Sequence, residues 1–354
     1  EILRCLVGSE MCIRDRDIHG KLILAEDGSV WNISGNTPSR IAELKNIVEI
    51  ASGDSYYSAL DTKGQVWVWG YNGYGQLSQG NTNNINEPTT VKIEKPKTDP
   101  DEETQYETLQ DIVEIKVGNQ NLEMITNTGE IYVSGYNGNG QLGIGNYSTY
   151  NTIAVKSKNM DQTKLIDSKA YHSIASDRSG FVYTTGYNGN GQLGIGNTTL
   201  QTLPQQMTSI SGIKEISAKS NNTYMLTEGG YVEGVGYNYY SQLGDGSSTD
   251  RTTAVYTKNT SNKYVSDAKH ISAGENSVFI SRKKDSEGNP QGMYVIGRND
   301  YGQLFTGNTT RAYYATEVEK EKDILTMALT EGQTGLIVDT KGNVLSLIHI
   351  WRCR

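Results

Sequence analysis

One octet dominates the sequence. It stands as Gly70-Tyr71-Asn72-Gly73-Tyr74-Gly75-Gln76-Leu77 and recurs over residues 135–142, 186–193, 236–243 and 297–304, at spacings of 65, 51, 50 and 61 residues. A period near 50 is too long for most helical-pair repeats and fits one four-stranded sheet, with strands of about five or six residues plus their turns. A second marker keeps the same rhythm. It is a turn glycine before a short β-branched or aromatic run, at Gly28, Gly64, Gly129, Gly180, Gly230, Gly292 and Gly342. An alternating segment such as Ile47-Val48-Glu49-Ile50 or Ile112-Val113-Glu114-Ile115 opens most repeats. Pro88-Thr89-Thr90-Val91 and Pro204-Gln205-Gln206-Met207 read as fourth strands. Alternation at period two marks a strand with one buried face, and proline suits a sheet edge.

Each repeat therefore reads as strand 1, strand 2, glycine turn, strand 3, octet loop and strand 4. Such a sheet cannot bury both faces alone, whereas stacking around an axis does so. The chain is expected to be all-β, a seven-bladed β-propeller of four-stranded antiparallel blades, with an open solenoid as runner-up. The repeats fall near residues 17–42, 43–108, 109–162, 163–211, 212–262, 263–321 and 322–344. The first lacks a recognisable strand 1 and the last reaches only Val344, so both end blades are expected to be incomplete. The first repeat also passes from Ser34-Gly35-Asn36-Thr37-Pro38 straight to strand 4 without a Gln-Leu loop, which leaves its contact with the second blade open.

Residues 1–16 (EILRCLVGSEMCIRDR) and 345–354 (LSLIHIWRCR) lack the Gly/Asn/Tyr/Thr character of the rest and resemble translated sequencing-adapter read-through. They are read as non-native and set apart from the fold. They hold all three cysteines, Cys5, Cys12 and Cys353, so neither a disulfide framework nor a thiolate metal site is expected in residues 17–344. The whole chain carries a net charge of −8; without these segments, which hold three acidic and five basic residues, the net is −10. That sign argues against a partner held by phosphate neutralisation, so no nucleic acid is expected. No stretch approaches 18 consecutive apolar residues, so no helical membrane span is expected.

Positive φ comes at little cost only to glycine, and less readily to asparagine such as Asn72, which accounts for Gly70, Gly75 and Gly80 where the chain reverses after strand 3. The octet opens at Gly70, Gly135, Gly186, Gly236 and Gly297. It closes on Gln76-Leu77, Gln141-Leu142, Gln192-Leu193, Gln242-Leu243 and Gln303-Leu304. The leucines read as plugs between neighbouring blades, and the glutamines as partners of exposed loop backbone. The pattern G-x-N-x-x-G-Q-L-G-x-G, unbroken over residues 135–145 and 186–196, resembles the regulator of chromosome condensation repeat family. That resemblance spans residues 17–344 and implies a seven-bladed propeller. Departures from it include Ser241 in place of glycine and Phe305 in place of glycine.

Catalytic signals are thin. His19, His172 and His270 stand in no metalloprotease or nucleophile-elbow setting, and His172 and His270 read as buried structural histidines near strands 1 and 2. The glycine-rich loop recurs five times and leads into a strand, which is the wrong context for a phosphate cradle. The acidic run Asp99-Pro100-Asp101-Glu102-Glu103 lacks the spacing of a calcium loop and reads as a solvated tip. No catalytic residue, metal or cofactor is expected.

Two inserts, near residues 94–106 and 282–291, leave the sheets at the end opposite the octet loops. Those loops carry Tyr74, Asn139, Asn190, Tyr240 and Tyr301 at one equivalent position, a paratope-like composition that makes them candidates for partner binding. The expectation is a monomeric, non-enzymatic scaffold for a protein or glycan, bacterial and extracellular or on the cell surface, with the cytoplasm as alternative. Guanine-nucleotide exchange on a small GTPase, the activity known for the family's eukaryotic namesake, is the second reading. A glycan-acting enzyme is the third. It would need carboxylates about 5 to 9.5 Å apart, for which Asp54, Glu123, Glu233 and Glu275 are the candidates.

Overall fold

The computed structural model describes residues 15–19, 21–33, 37–53, 55–97, 101, 103–169, 171–207, 210–320, 322–329, 335–341 and 343–346. Among these residues there is no helix long and apolar enough to cross a membrane. The chain forms two compact units, residues 1–138 with 147–162, and residues 139–146 with 163–354.

The first unit holds three sheets. One comprises β1 (Asp15–His19), β2 (Leu22–Ala25), β3 (Val30–Asn32) and β4 (Ser39–Arg40). The next comprises β5 (Ile47–Ser52), β6 (Tyr56–Asp61), β7 (Val66–Gly70) and β8 (Ile85–Thr90). A short ribbon, β9 (Lys92–Glu94) and β10 (Tyr106–Thr108), joins β11 (Ile112–Val117), β12 (Asn121–Thr126), β13 (Ile131–Tyr136) and β14 (Tyr150–Lys156) in a six-stranded sheet.

The second unit begins with β15 (Thr163–Lys169), β16 (His172–Asp177), β17 (Val182–Gly186) and β18 (Gln201–Gln206). It continues with β19 (Ile213–Lys219), β20 (Asn222–Thr227), β21 (Val232–Gly236) and β22 (Arg251–Tyr256). A further sheet holds β23 (Ala268–Ala273), β24 (Ser277–Arg282), β25 (Met293–Gly297) and β26 (Ala312–Val318). The last holds β27 (Ile324–Leu329), β28 (Gly335–Asp339) and β29 (Val344–Ser346).

Three expectations change. The first sheet does have its strand 1: β1 pairs antiparallel with β2, and it begins at Asp15, inside the segment set apart as non-native. Only the last sheet is short of a strand among the described residues. The insert near residues 94–106 is not merely a loop. Its base is the β9–β10 ribbon, which extends the third sheet by a parallel pairing of Ile93 with Ala154. The tip residues Asp99, Pro100 and Glu102 lie outside the described residues, as do Asp54 and the turn glycine Gly342.

The strands follow from burial. The second strands are buried nearly throughout, and β12 is buried at every position, as a central strand covered on both faces must be. The proline-bearing β8 and β18 lie at sheet edges, where a missing N–H breaks no ladder. The turn from strand 2 to strand 3 is set by a side chain. Asp61 Oδ1 accepts from the amides of Lys63 at 2.8 Å and Gln65 at 3.0 Å, and Asp177 and Asp339 repeat the arrangement in their own sheets.

Sheets within a unit bury a layer of apolar side chains between them. Leu77 lies with Tyr56, Val68, Ile115 and Met124 between the second and third sheets, and Leu243 with Tyr224, Val232, Ile280 and Ile296 between the fifth and sixth. The first two sheets meet without such a leucine. Leu44 and Trp69 join Leu22, Leu24 and Ile50 there, and Tyr57 stacks on Trp69 at 5.6 Å. Trp69 stands where β13 and β17 carry Ser134 and Thr185, whose hydroxyls donate to Gln76 O and Gly140 O of octet loops. The first repeat has no octet, and the indole fills that volume.

Candidate functional site

The octet loop is built around one buried asparagine. Asn188 Oδ1 accepts from Leu193 N at 3.0 Å, while its Nδ2 donates to Asn197 O at 2.9 Å and Thr199 O at 3.0 Å. Asn299 binds Leu304 N, Asn308 O and Thr310 O in the same way, each at 2.9 Å. Asn72 and Asn238 repeat the pattern, and all four are fully buried. Asn72 is therefore not a positive-φ residue as expected; it is the hub of the loop. The signal was present, since asparagine holds the third octet position in all five copies. Two explanations competed for it.

The buried glutamine sets the exposed rim. Gln76, Gln141, Gln192, Gln242 and Gln303 each accept, through Oε1, the backbone N–H of the residue two positions earlier. Those residues are Tyr74, Asn139, Asn190, Tyr240 and Tyr301, at N···O distances of 3.0 to 3.1 Å. The backbone beneath every candidate contact residue is thus tied to the core. Position 70 takes glycine for two reasons: its φ is +104°, and a Cβ would lie 2.5 Å from Ser55 O. Ser241 and Phe305 hold left-handed backbone without being glycine, at φ of +60° and +58°.

The structure gathers some of these side chains and separates others. In the first unit Tyr74 meets Tyr71 and Tyr136 edge-on, at 6.3 and 5.4 Å. In the second unit Asn190 is drawn to Asp250 Oδ2 at 3.0 Å. Tyr240 and Tyr301 are joined by Arg298, whose guanidinium lies 4.8 Å from one ring centre and 5.4 Å from the other. Arg311 sits 5.3 Å from Tyr240, 5.5 Å from Tyr239 and 5.8 Å from Tyr313. It also donates to Tyr239 O at 2.8 Å. Tyr239 is 57% exposed and Tyr301 63%. Asp300 accepts from Arg298 Nε at 2.7 Å, and that bond raises the arginine's pKa further.

Sequence reasoning missed Arg298, Arg311, Tyr239 and Tyr313. Arg298 stands where the other octets carry tyrosine, and Tyr239 where three of them carry glycine. Arg311 and Tyr313 lie outside the octet. The pairing of Gly297 with Ala312 brings them beside it.

Other titratable groups are occupied within a sheet or between neighbouring sheets. His172 is buried, its Nε2 lies 2.9 Å from Thr223 Oγ1, and burial pushes its pKa down to about 4. His270 is not buried as expected; it is half-exposed and its Nδ1 lies 2.6 Å from Glu215 Oε1. Glu123 accepts from Asn121 Nδ2 at 3.1 Å. Burial raises the Glu233 carboxyl, while a hydrogen bond from Tyr256 opposes that rise. Glu275 lies exposed between β23 and β24. No group of three metal-binding side chains occurs among the described residues.

The chain matches the RCC1-like domain over residues 20–336. It is 26% identical to the human X-linked retinitis pigmentosa GTPase regulator over 195 residues, which is 52% of this chain and 18% of that protein. It is 27% identical to the mouse regulator of chromosome condensation over 208 residues, 52% of this chain and 45% of that protein. The chain thus spans less than half the length of either relative. Among solved structures it is similar to Prp20p of Saccharomyces cerevisiae, with a TM-score of 0.66 and 17% identity, covering 87% of this chain and 77% of that one. Human WBSCR16 gives a TM-score of 0.65 at 17% identity, covering 87% and 81%. These likenesses show the β-propeller fold.

Proposed function

Because the chain belongs to the RCC1-like domain family, we propose that it is a non-enzymatic propeller scaffold that docks a protein or glycan through its octet loops. The observation that carries this reading is the backbone tie beneath each outward residue. A buried glutamine fixes the N–H of Tyr74, Asn139, Asn190, Tyr240 and Tyr301, so the rim is ordered before any partner arrives. Tyrosine and arginine on such a rim are the side chains that dominate protein interfaces, which favours a protein over a glycan. Export or display at a cell surface remains part of this proposal and is tested by fractionating the source cells.

The experiment is capture of a partner by the intact chain, followed by titration of the purified partner. Replacing Tyr74, Tyr240 and Tyr301 with serine should weaken binding at least tenfold, while Lys284→Ala, in the insert at the opposite end of its sheet, should not. A chain with no saturable partner would refute the reading. So would a partner lost with Lys284 and kept without the tyrosines.

A second reading is favoured by the names of two relatives, a GTPase regulator and a regulator of chromosome condensation. It is nucleotide exchange on a small GTPase. Accelerated release of labelled guanine nucleotide from a GTPase panel would support it and displace the scaffold reading.

A further inference from the structure

The five octets are internal controls for one another. Three buried positions do not vary: asparagine is third, glutamine seventh and leucine eighth in every copy. Apart from the buried Ser241 in place of glycine, variation falls on outward positions and concentrates in the fifth and sixth repeats, whose loops adjoin within the second unit. There glycine becomes Tyr239 and tyrosine becomes Arg298. The glycine substitution is informative. In the second repeat Tyr71 folds back over Gly73, closing the space a side chain would need, whereas in the fifth Tyr237 stacks beside Tyr239 at 6.4 Å. The loop has exchanged a self-capped turn for an exposed ring while its buried asparagine, glutamine and leucine stayed the same.

We propose that the cluster of Tyr239, Tyr240, Arg298, Tyr301 and Arg311 is the specificity-determining patch, and that it takes an acidic protein segment with apolar or aromatic residues beside the carboxylates. This rests on the reading of the octet loops as a docking surface and names the partner's chemistry. The charge pattern carries it. Arg298 already has Asp300, but Arg311 has no carboxylate within ion-pair distance among the described residues, although acidic residues outnumber basic ones 40 to 32 in the chain. Its guanidinium is held against three tyrosine rings and tied through Nη1 to Tyr239 O, which leaves donors free in a fixed plane. A guanidinium so oriented suits bidentate capture of a carboxylate, and the exposed rings supply apolar contact around it.

The test uses the intact chain and three labelled synthetic peptides of equal length. One alternates Glu with Leu and Phe, one has Gln at each Glu position, and one has Lys there. Titration by fluorescence anisotropy should give saturable binding of the Glu peptide, at least tenfold tighter than the Gln peptide, weakening as salt rises. Arg311→Ala should remove that preference with an unchanged circular dichroism spectrum, and Arg311→Lys should not restore it, since an ammonium lacks the planar fork. Four results would overturn the proposal: no binding of the Glu peptide, equal affinity for the Glu and Gln peptides, full rescue by lysine, or a sedimentation shift showing that Arg311 instead joins two copies of this chain. If the Gln peptide binds equally well yet is lost in Tyr239→Ser, the acidic partner is refuted and the docking surface stands.

Discussion

Asn238→Ala tests the loop architecture at the place where it carries the tyrosine and arginine cluster. The side chain is fully buried. Its Oδ1 accepts from Leu243 N at 3.0 Å, and its Nδ2 reaches Thr249 O at 3.1 Å, Ser247 O at 3.3 Å and Asp245 Oδ1 at 3.2 Å. Alanine strands the buried Leu243 amide, at about 1 to 3 kcal/mol for an unsatisfied buried group. The carbonyls of Ser247 and Thr249 lie nearer the surface, where water replaces part of what is lost. Asp245 keeps Arg251 and Ser247. With the small cavity added, the expected loss is about 3 kcal/mol. Asn190→Ala in the neighbouring loop removes one exposed hydrogen bond to Asp250 and should cost under about 0.5 kcal/mol. Urea unfolding followed by circular dichroism reads both, with the slope compared to exclude a change in the unfolded state. A loss below about 1 kcal/mol for Asn238→Ala, or equal losses for the two variants, would refute the claim that the asparagine organises the loop.

Three further outcomes follow from the same geometry. Leu243→Ala should cost about 2 to 5 kcal/mol, because its side chain fills the layer between the fifth and sixth sheets. Ser241→Gly should stabilise by about 1 kcal/mol in the same unfolding assay, since it relieves a φ of +60° and removes a buried hydroxyl without a hydrogen-bond partner. His172 should make stability depend on pH. Its folded pKa of about 4 lies below the ordinary 6.5, so the unfolded chain takes up the proton first. Stability from this group is complete above about pH 6.5 and falls as the pH drops toward 4, by up to about 3 kcal/mol. His172→Gln should flatten that part of the profile.

The repeat was legible because turn chemistry is local. The glycine turns and the octet mark each sheet without knowledge of its neighbours, and the leucine plugs follow from their fixed register. What was not legible depended on pairing. Arg311 lies seven residues beyond Leu304, and only the register of β25 with β26 carries it to the octet loops. Nothing in the spacing singles out Trp69, whose place depends on the loop that the first repeat lacks. Asn72 was misread because a turn asparagine has two physical uses, tolerance of positive φ and a hydrogen-bonding side chain, and spacing alone does not choose between them. The ribbon β9–β10 was hidden by its own composition, since a charged, proline-containing insert gives little sign of the strands at its base.

Native-state hydrogen exchange at the octet amides bears most directly on the claim that the octet loops are anchored as firmly as the sheets. Leu77, Leu193, Leu243 and Leu304 donate their N–H to buried asparagines, so these amides should exchange as slowly as those in the middle of β12 and β20. Exchange at the rate of exposed loop amides, while β12 and β20 stay protected, would contradict it.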